Sequence, residues 1–102
     1  MSIFQMFGKR TDINEGVKRS QETPEAVLLD VRTAAEYAGG HIPGSVNLPL
    51  DRLNEISIEK KVPLFVYCQS GMRSRAACAQ LREMGYKAEN IGGIAEYRGR
   101  LE

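Results

Sequence analysis

The sequence predicts an α/β fold of three layers, in which a mostly parallel sheet carries helices on both faces. Residues 26–29 and 64–67 are continuous apolar runs, as expected for strands that are buried on both sides. Segments with helical spacing separate the strand candidates, and this alternation is typical of right-handed crossover connections. The 102 residues suffice for one domain with one core.

The first half of the chain contains two helix-start signals. Asp12 and Glu15 have capping-box spacing and predict a helix over about residues 13–19, which the segment 21–24 should end. A first strand then ends at Asp30. The tetrapeptide 33–36 is a second capping box, so a short helix should run from there to the glycines at 39–40.

The second half repeats the alternation of strand and helix. We predict a short strand over 45–48, a small amphipathic helix around 50–56 and the strand that leads into Cys68. A long helix over about 73–84, a strand over 87–91 and a final short helix over 94–101 should follow. Residues 1–10 are predicted to be an N-terminal extension to the domain at 11–102. Their apolar side chains fit an edge strand, a frayed end or, least favoured, a membrane-surface anchor.

Composition argues against several classes of function. The formal net charge is +1, so there is no basic excess to attract nucleic acid. No segment approaches the roughly 20 apolar residues of a membrane span, and we expect a cytoplasmic protein with reduced thiols. One histidine and two cysteines without a CxxC pair give no basis for a metal site or another cofactor.

Cys68 is the strongest candidate for chemistry. It ends a predicted buried strand and is followed by a small, glycine-containing loop and a helix, which is where sites form in parallel sheets. Loop and helix N–H groups can form an anion nest, and Arg73 adds a cation suited to oxyanions. At the mouth of such a loop a cysteine should ionise readily and act as a nucleophile. The alternative is a buried structural cysteine.

Cys78 has a different setting. It lies in the middle of the predicted long helix among alanines, where small side chains permit close packing. We interpret it as an inert core residue. The alternative, a resolving thiol for Cys68, is disfavoured because most of a helix separates the two residues.

Several motifs together resemble the signature of rhodanese-like domains. The similarity extends from about Ile13 to Arg98 and rests on the segments LLDVR at 28–32, EY at 36–37, GHIPGSVNLP at 40–49, VYC at 66–68 and GG at 92–93. Gly71, Arg73-Ser74 and Gly85-Tyr86 also fit. The resemblance implies a single-domain sulfurtransferase that uses thiosulfate or a persulfide as donor and cyanide or a protein thiol as acceptor.

The resemblance also implies roles for individual residues. Cys68 corresponds to the cysteine that accepts the sulfur and becomes a persulfide. The loop that would bind the persulfide and the small anionic donor comprises Gln69, Ser70, Gly71, Met72 and Arg73. In the related arsenate reductases and cysteine phosphatases the loop is one residue longer, and the tighter loop here fits sulfur better than phosphate.

Three polar residues near the predicted strand ends are expected to support the site rather than to react. Asp30 and Arg32 should fix neighbouring loops through hydrogen bonds and an ion pair, and His41 should position a turn. Glu36 is expected to pair with Arg32 across one helical turn.

Two further functions stay open at this level. In one, the domain is a persulfide carrier or interaction module that docks an acceptor protein through exposed Gln69 and Met72 and turns over thiosulfate slowly. In the other, Cys68 is a redox-sensing thiol that is oxidised to a sulfenic acid and rescued by an external thiol.

Overall fold

The computed structural model describes residues 11–102 and contains a four-stranded parallel sheet. The strands are β1 (Val27–Asp30), β2 (Val46–Asn47), β3 (Leu64–Cys68) and β4 (Ala88–Gly93), in the order β2-β1-β3-β4. The α/β prediction is therefore confirmed. The predicted edge strand within residues 1–10 lies outside the described residues.

The helices are α1 (Ile13–Glu22), α2 (Ala34–Ala38) and α3 (Met72–Glu83), together with 3₁₀ helices at Leu50–Glu55 and Ile94–Glu96. The predicted helix over 50–56 is thus a 3₁₀ helix, and its backbone is kinked at Arg52. None of the helices within residues 11–102 has the length and apolar character needed to span a bilayer.

Two apolar clusters lie on opposite faces of the sheet, because successive strand side chains alternate between the faces. On one face, strand residues such as Leu29, Val66 and Cys68 pack with Leu81 of α3. On the other face, Phe65 belongs to a cluster with residues of α1. Each buried leucine or valine contributes roughly 1.5–3 kcal/mol to folding. This double coverage explains the continuous apolar runs.

The first helix begins at Ile13 after the Asp12 cap, as predicted, but its capping contact and its end differ from the prediction. The Asp12 carboxylate accepts from the backbone N–H of Asn14 at 3.0 Å, one residue earlier than the predicted capping box with Glu15 would place this bond. The helix also continues to Glu22 instead of ending near residue 19. Proline restricts mainly the residue before it, so only Thr23 is held extended.

The predicted C-terminal helix over 94–101 is wrong beyond its first turn. Only Ile94–Glu96 is helical, and Tyr97 is already extended. Backbone N–H groups that a helix would use are bound elsewhere: that of Arg98 donates to Asn14 Oδ1 at 2.9 Å, and that of Glu102 donates to the His41 carbonyl at 2.8 Å. The tail is consequently held along the loop after α2.

Candidate active site

The carboxyl end of β3 delivers Cys68 to a loop that wraps around its sulfur. The backbone N–H of Gly71 donates to Sγ at 3.0 Å, and that of Ser74 donates at 3.3 Å. The Ser74 hydroxyl is 3.4 Å from the same sulfur. Two backbone N–H groups therefore point at one sulfur atom, and the Ser74 hydroxyl lies close to it.

Gly71 makes this loop geometry accessible. Its φ of 99° lies in the left-handed region, where side chains are strained, and it is the residue directly before α3. The loop also needs space behind it. A Cβ on Gly93 would lie 2.4 Å from the Gln69 carbonyl oxygen, so glycine on the neighbouring strand lets β4 approach the loop backbone.

The thiol of Cys68 is subject to two opposing influences. Burial raises its pKa, but hydrogen bonds from the Ser74 hydroxyl and from the N–H groups of Ser74, Gly71 and Ser70 lower it, and the net result is a pKa below the ordinary thiol value. The thiolate character expected from the sequence has a structural basis in these donors.

The sulfur of Cys68 is less accessible to solvent than the sequence predicts. The sequence predicts that Cys68 lies at the mouth of the loop, whereas the residue has 0% exposure in the structure. The cause is the close wrapping that supplies the N–H donors: the loop backbone covers the sulfur that it stabilises. Gln69 and Ser70 are exposed, and Met72 retains 78% of its surface.

Arg73 lies at the start of α3, but its guanidinium is engaged by Glu36 of α2. The contacts are Nη1–Oε1 at 2.7 Å and Nη2–Oε2 at 3.0 Å. The predicted pairing of Glu36 with Arg32 is therefore wrong. Folding brings α2 beside the loop, where Arg73 binds Glu36 through both terminal guanidinium nitrogens, while Arg32 pairs with Asp30.

Asp30 and Arg32 form a buried ion pair at the end of β1, with Nη2–Oδ2 at 2.8 Å. Arg32 also donates to the Gly40 carbonyl at 2.7 Å and to Gln69 Oε1 at 3.3 Å. These contacts join β1 to the loop after α2 and to the cysteine loop. They agree with the supporting role expected for the pair.

His41 makes its contacts away from the sulfur. Its ring stacks on Tyr37 with centroids 3.8 Å apart, and Nδ1 is 3.0 Å from the Tyr37 carbonyl oxygen. Its backbone N–H also donates to the carbonyl of Glu102 at 3.0 Å. This arrangement fits a residue that positions the turn and the tail.

Two residues around the sulfur were not identified from the sequence as site residues. The single hydroxyl hydrogen of Ser74 is shared between Cys68 Sγ and Asn90 Oδ1, which is closer at 2.6 Å, and Asn90 Nδ2 donates to the Gly71 carbonyl at 3.2 Å. The position of Ser74 in the first turn of the helix after Cys68 was a usable signal. Asn90 gave none, since only the pairing of β3 with β4 brings it to the loop.

A family model described as a rhodanese-like domain matches residues 14–99. A protein named sulfurtransferase from Allochromatium vinosum is 41% identical over 86 residues, covering 80% of this chain and 74% of its own. Among solved structures, a rhodanese-like domain protein from Staphylococcus aureus is 30% identical with a TM-score of 0.76, and the match covers 87% of this chain and 92% of that one.

A rhodanese from E. coli, solved with anions, is 32% identical with a TM-score of 0.68, and the match covers 76% of this chain and 96% of that one. The α/β fold of this chain is similar to that of these two solved structures. The chain belongs to the rhodanese-like domain family.

Proposed function

We propose that the protein is a sulfurtransferase that moves a sulfane sulfur from thiosulfate or a persulfide to cyanide or a thiol through a persulfide on Cys68. The observation that carries the proposal is the convergence of the Gly71 and Ser74 donors on Sγ, at 3.0–3.4 Å. Membership of the rhodanese-like family supports it.

The chemistry proceeds in two displacements. The Cys68 thiolate attacks the outer sulfur of thiosulfate, the S–S bond of the donor breaks and sulfite leaves with the bonding electron pair. A Cys68 persulfide anion remains. Cyanide then attacks the outer sulfur of this persulfide, thiocyanate forms and the Cys68 thiolate is restored. No proton transfer is required, so a general base next to Cys68 is unnecessary.

The loop donors have a role in both states. They stabilise the thiolate before transfer and can stabilise the persulfide anion after it, because both place negative charge on sulfur inside the same nest. Since the sulfur is covered, the donor must gain access by a shift of loop residues such as Gln69. That residue is exposed and lines the pocket beside the loop.

The test uses intact mass and turnover. Wild-type protein incubated with thiosulfate should gain the mass of one sulfur atom, and cyanide should remove it with formation of thiocyanate. Cys68→Ala should lose both signals, while Cys78→Ala, the matched control, should keep them. Sulfur transfer that persists in folded Cys68→Ala would contradict the mechanism.

A persulfide carrier is the second candidate. The observation that favours it is the 78% exposure of Met72, an apolar side chain next to the loop that suits a docking surface. Stable mass gain on Cys68 without multiple turnovers in cyanide would favour the carrier over the enzyme.

A further inference from the structure

Two guanidinium groups flank the cysteine loop, and the chain itself neutralises both. Arg73 is bound through two nitrogens to Glu36, and Arg32 is bound to buried Asp30. Two positive and two negative charges thus lie beside the loop. An incoming anion meets backbone N–H groups rather than a free cation at these two positions.

Glu36 is held in place independently of Arg73. Its carboxylate closes the capping box of α2, where Oε1 accepts from the Thr33 backbone N–H at 2.9 Å. The hydrogen bonds from Arg73 and Thr33 hold the pKa of Glu36 at about 2. The carboxylate is therefore charged at any pH at which the protein would be assayed, and it competes permanently for the Arg73 guanidinium.

The pocket beside the loop provides more room than an inorganic donor needs. It has a volume of about 380 Å³ and is lined by Arg32, Glu36, Gln69, Ile94 and Leu101, with backbone and small residues between them. Its lining carries one cation and one carboxylate, together with two large apolar side chains. Such a lining suits the organic group of a donor better than it suits the charged SO₃ group of thiosulfate.

We propose that Glu36 is a specificity-determining residue that occupies Arg73 and thereby favours sulfane-sulfur donors with a single negative charge and an organic group over dianionic donors. The donor class is the persulfide of an organic thiol. In its singly charged form RS–S⁻, the donor is attacked at its outer sulfur by the Cys68 thiolate, the donor S–S bond breaks, RS⁻ leaves with the bonding electron pair, and the Cys68 persulfide anion remains. This inference rests on the proposed sulfurtransferase function and narrows it.

The charge effect can be isolated with two donors of similar shape. Thiosulfate is a dianion, and methanethiosulfonate replaces one of its oxygens by a methyl group and carries one charge. Both transfer their outer sulfur to a thiolate. Glu36→Gln removes the competing charge but keeps a side chain that can close the capping box. Thermal unfolding should confirm that the variant is folded.

Glu36→Gln is expected to lower KM for thiosulfate about three- to tenfold, because a partly exposed ion pair no longer competes with the dianion. The change for methanethiosulfonate should be smaller, and kcat should stay the same for both donors. A role of Glu36 in stability alone would not change the ratio of the two KM values.

Glu89→Gln is the matched control. It removes the same charge from another bidentate arginine pair, with Arg19, and Glu89 lies beside Phe65, away from the carboxyl end of β3. Its KM ratio should equal that of the wild type, and an equal change in both variants would reduce the effect to net charge and overturn the inference.

The possible results separate the two proposals. If wild-type protein transfers sulfur but Glu36→Gln leaves the KM ratio unchanged, the inference about Glu36 is wrong and the sulfurtransferase function stands. If neither donor transfers sulfur to Cys68 in the wild type, the proposed function is wrong, and the inference is wrong with it.

Discussion

The two cysteines of this protein can be compared directly, because both are buried on the same face of the sheet. The pKa of Cys68 is lowered, whereas that of Cys78 is raised. Cys68 ends a strand and receives N–H and O–H donors from the start of α3. Cys78 lies in the middle of α3, within the same apolar cluster. Burial is the main cause that raises the pKa of Cys78 to about 11.

The difference shows that burial does not decide whether a thiol is reactive. Loss of solvent opposes ionisation at both residues, and only directed donors reverse the effect. In the middle of α3 the backbone N–H groups are used within the helix. At its start they are free, and the loop turns them toward Cys68. The position relative to the helix end is therefore the deciding variable.

The largest expected effect is the separation of the two thiol titrations. In Cys68→Ser, the remaining thiol of Cys78 should ionise with a midpoint near pH 11. In Cys78→Ser, the thiol of Cys68 should ionise below the ordinary thiol range because its bound donors favour the thiolate. Both midpoints can be measured from the ultraviolet absorbance of the thiolate, after subtraction of the absorbance of the variant that lacks both cysteines. Similar midpoints would remove the basis of the comparison.

The sign of the pH dependence of activity follows from the same pKa. The thiolate is the nucleophile, so sulfur acceptance should fall as the pH drops through the lowered pKa of Cys68 and should be constant above it. A rate that rises only at the pH of an ordinary thiol would contradict the role of the loop donors.

A somewhat smaller effect is expected when the loop is displaced. Gly93→Ala places a Cβ 2.4 Å from the Gln69 carbonyl oxygen, which is backbone and must move. We expect a loss of about 1–3 kcal/mol in the free energy of unfolding and a rise in the pKa of Cys68. Chemical denaturation and thiol titration measure the two. The pKa of Cys78 should not change, which distinguishes loop displacement from general loosening of the core.

The smallest effect should come from removing one donor. Ser74→Ala deletes the hydroxyl 3.4 Å from Sγ but keeps the Ser74 backbone N–H. The pKa of Cys68 should rise, because the Ser74 hydroxyl is one of the groups that lower it. Sulfur acceptance should then fall more at pH 6 than at pH 9. An equal loss at both pH values would show that the hydroxyl acts by some means other than thiol ionisation.

Local signals in the sequence were sufficient for most of the architecture and for the central residue of the site. The apolar runs before Asp30 and Cys68 predicted β1 and β3, and the Thr33 capping box is present as predicted. Gly71 indicated the turn into α3, and its φ lies in the left-handed region. Each of these features depends on interactions within a few residues, so the sequence by itself determined them.

Only the tertiary structure decided which side chains pair with each other at the site. Arg73 and Glu36 are 37 positions apart, and Ser74 and Asn90 are 16 apart. Such pairs form because parallel strands bring distant segments to one edge of the sheet, and no local periodicity records them. The covering of Cys68 has the same origin, since β4 and the loop backbone close on the sulfur only when the sheet is assembled.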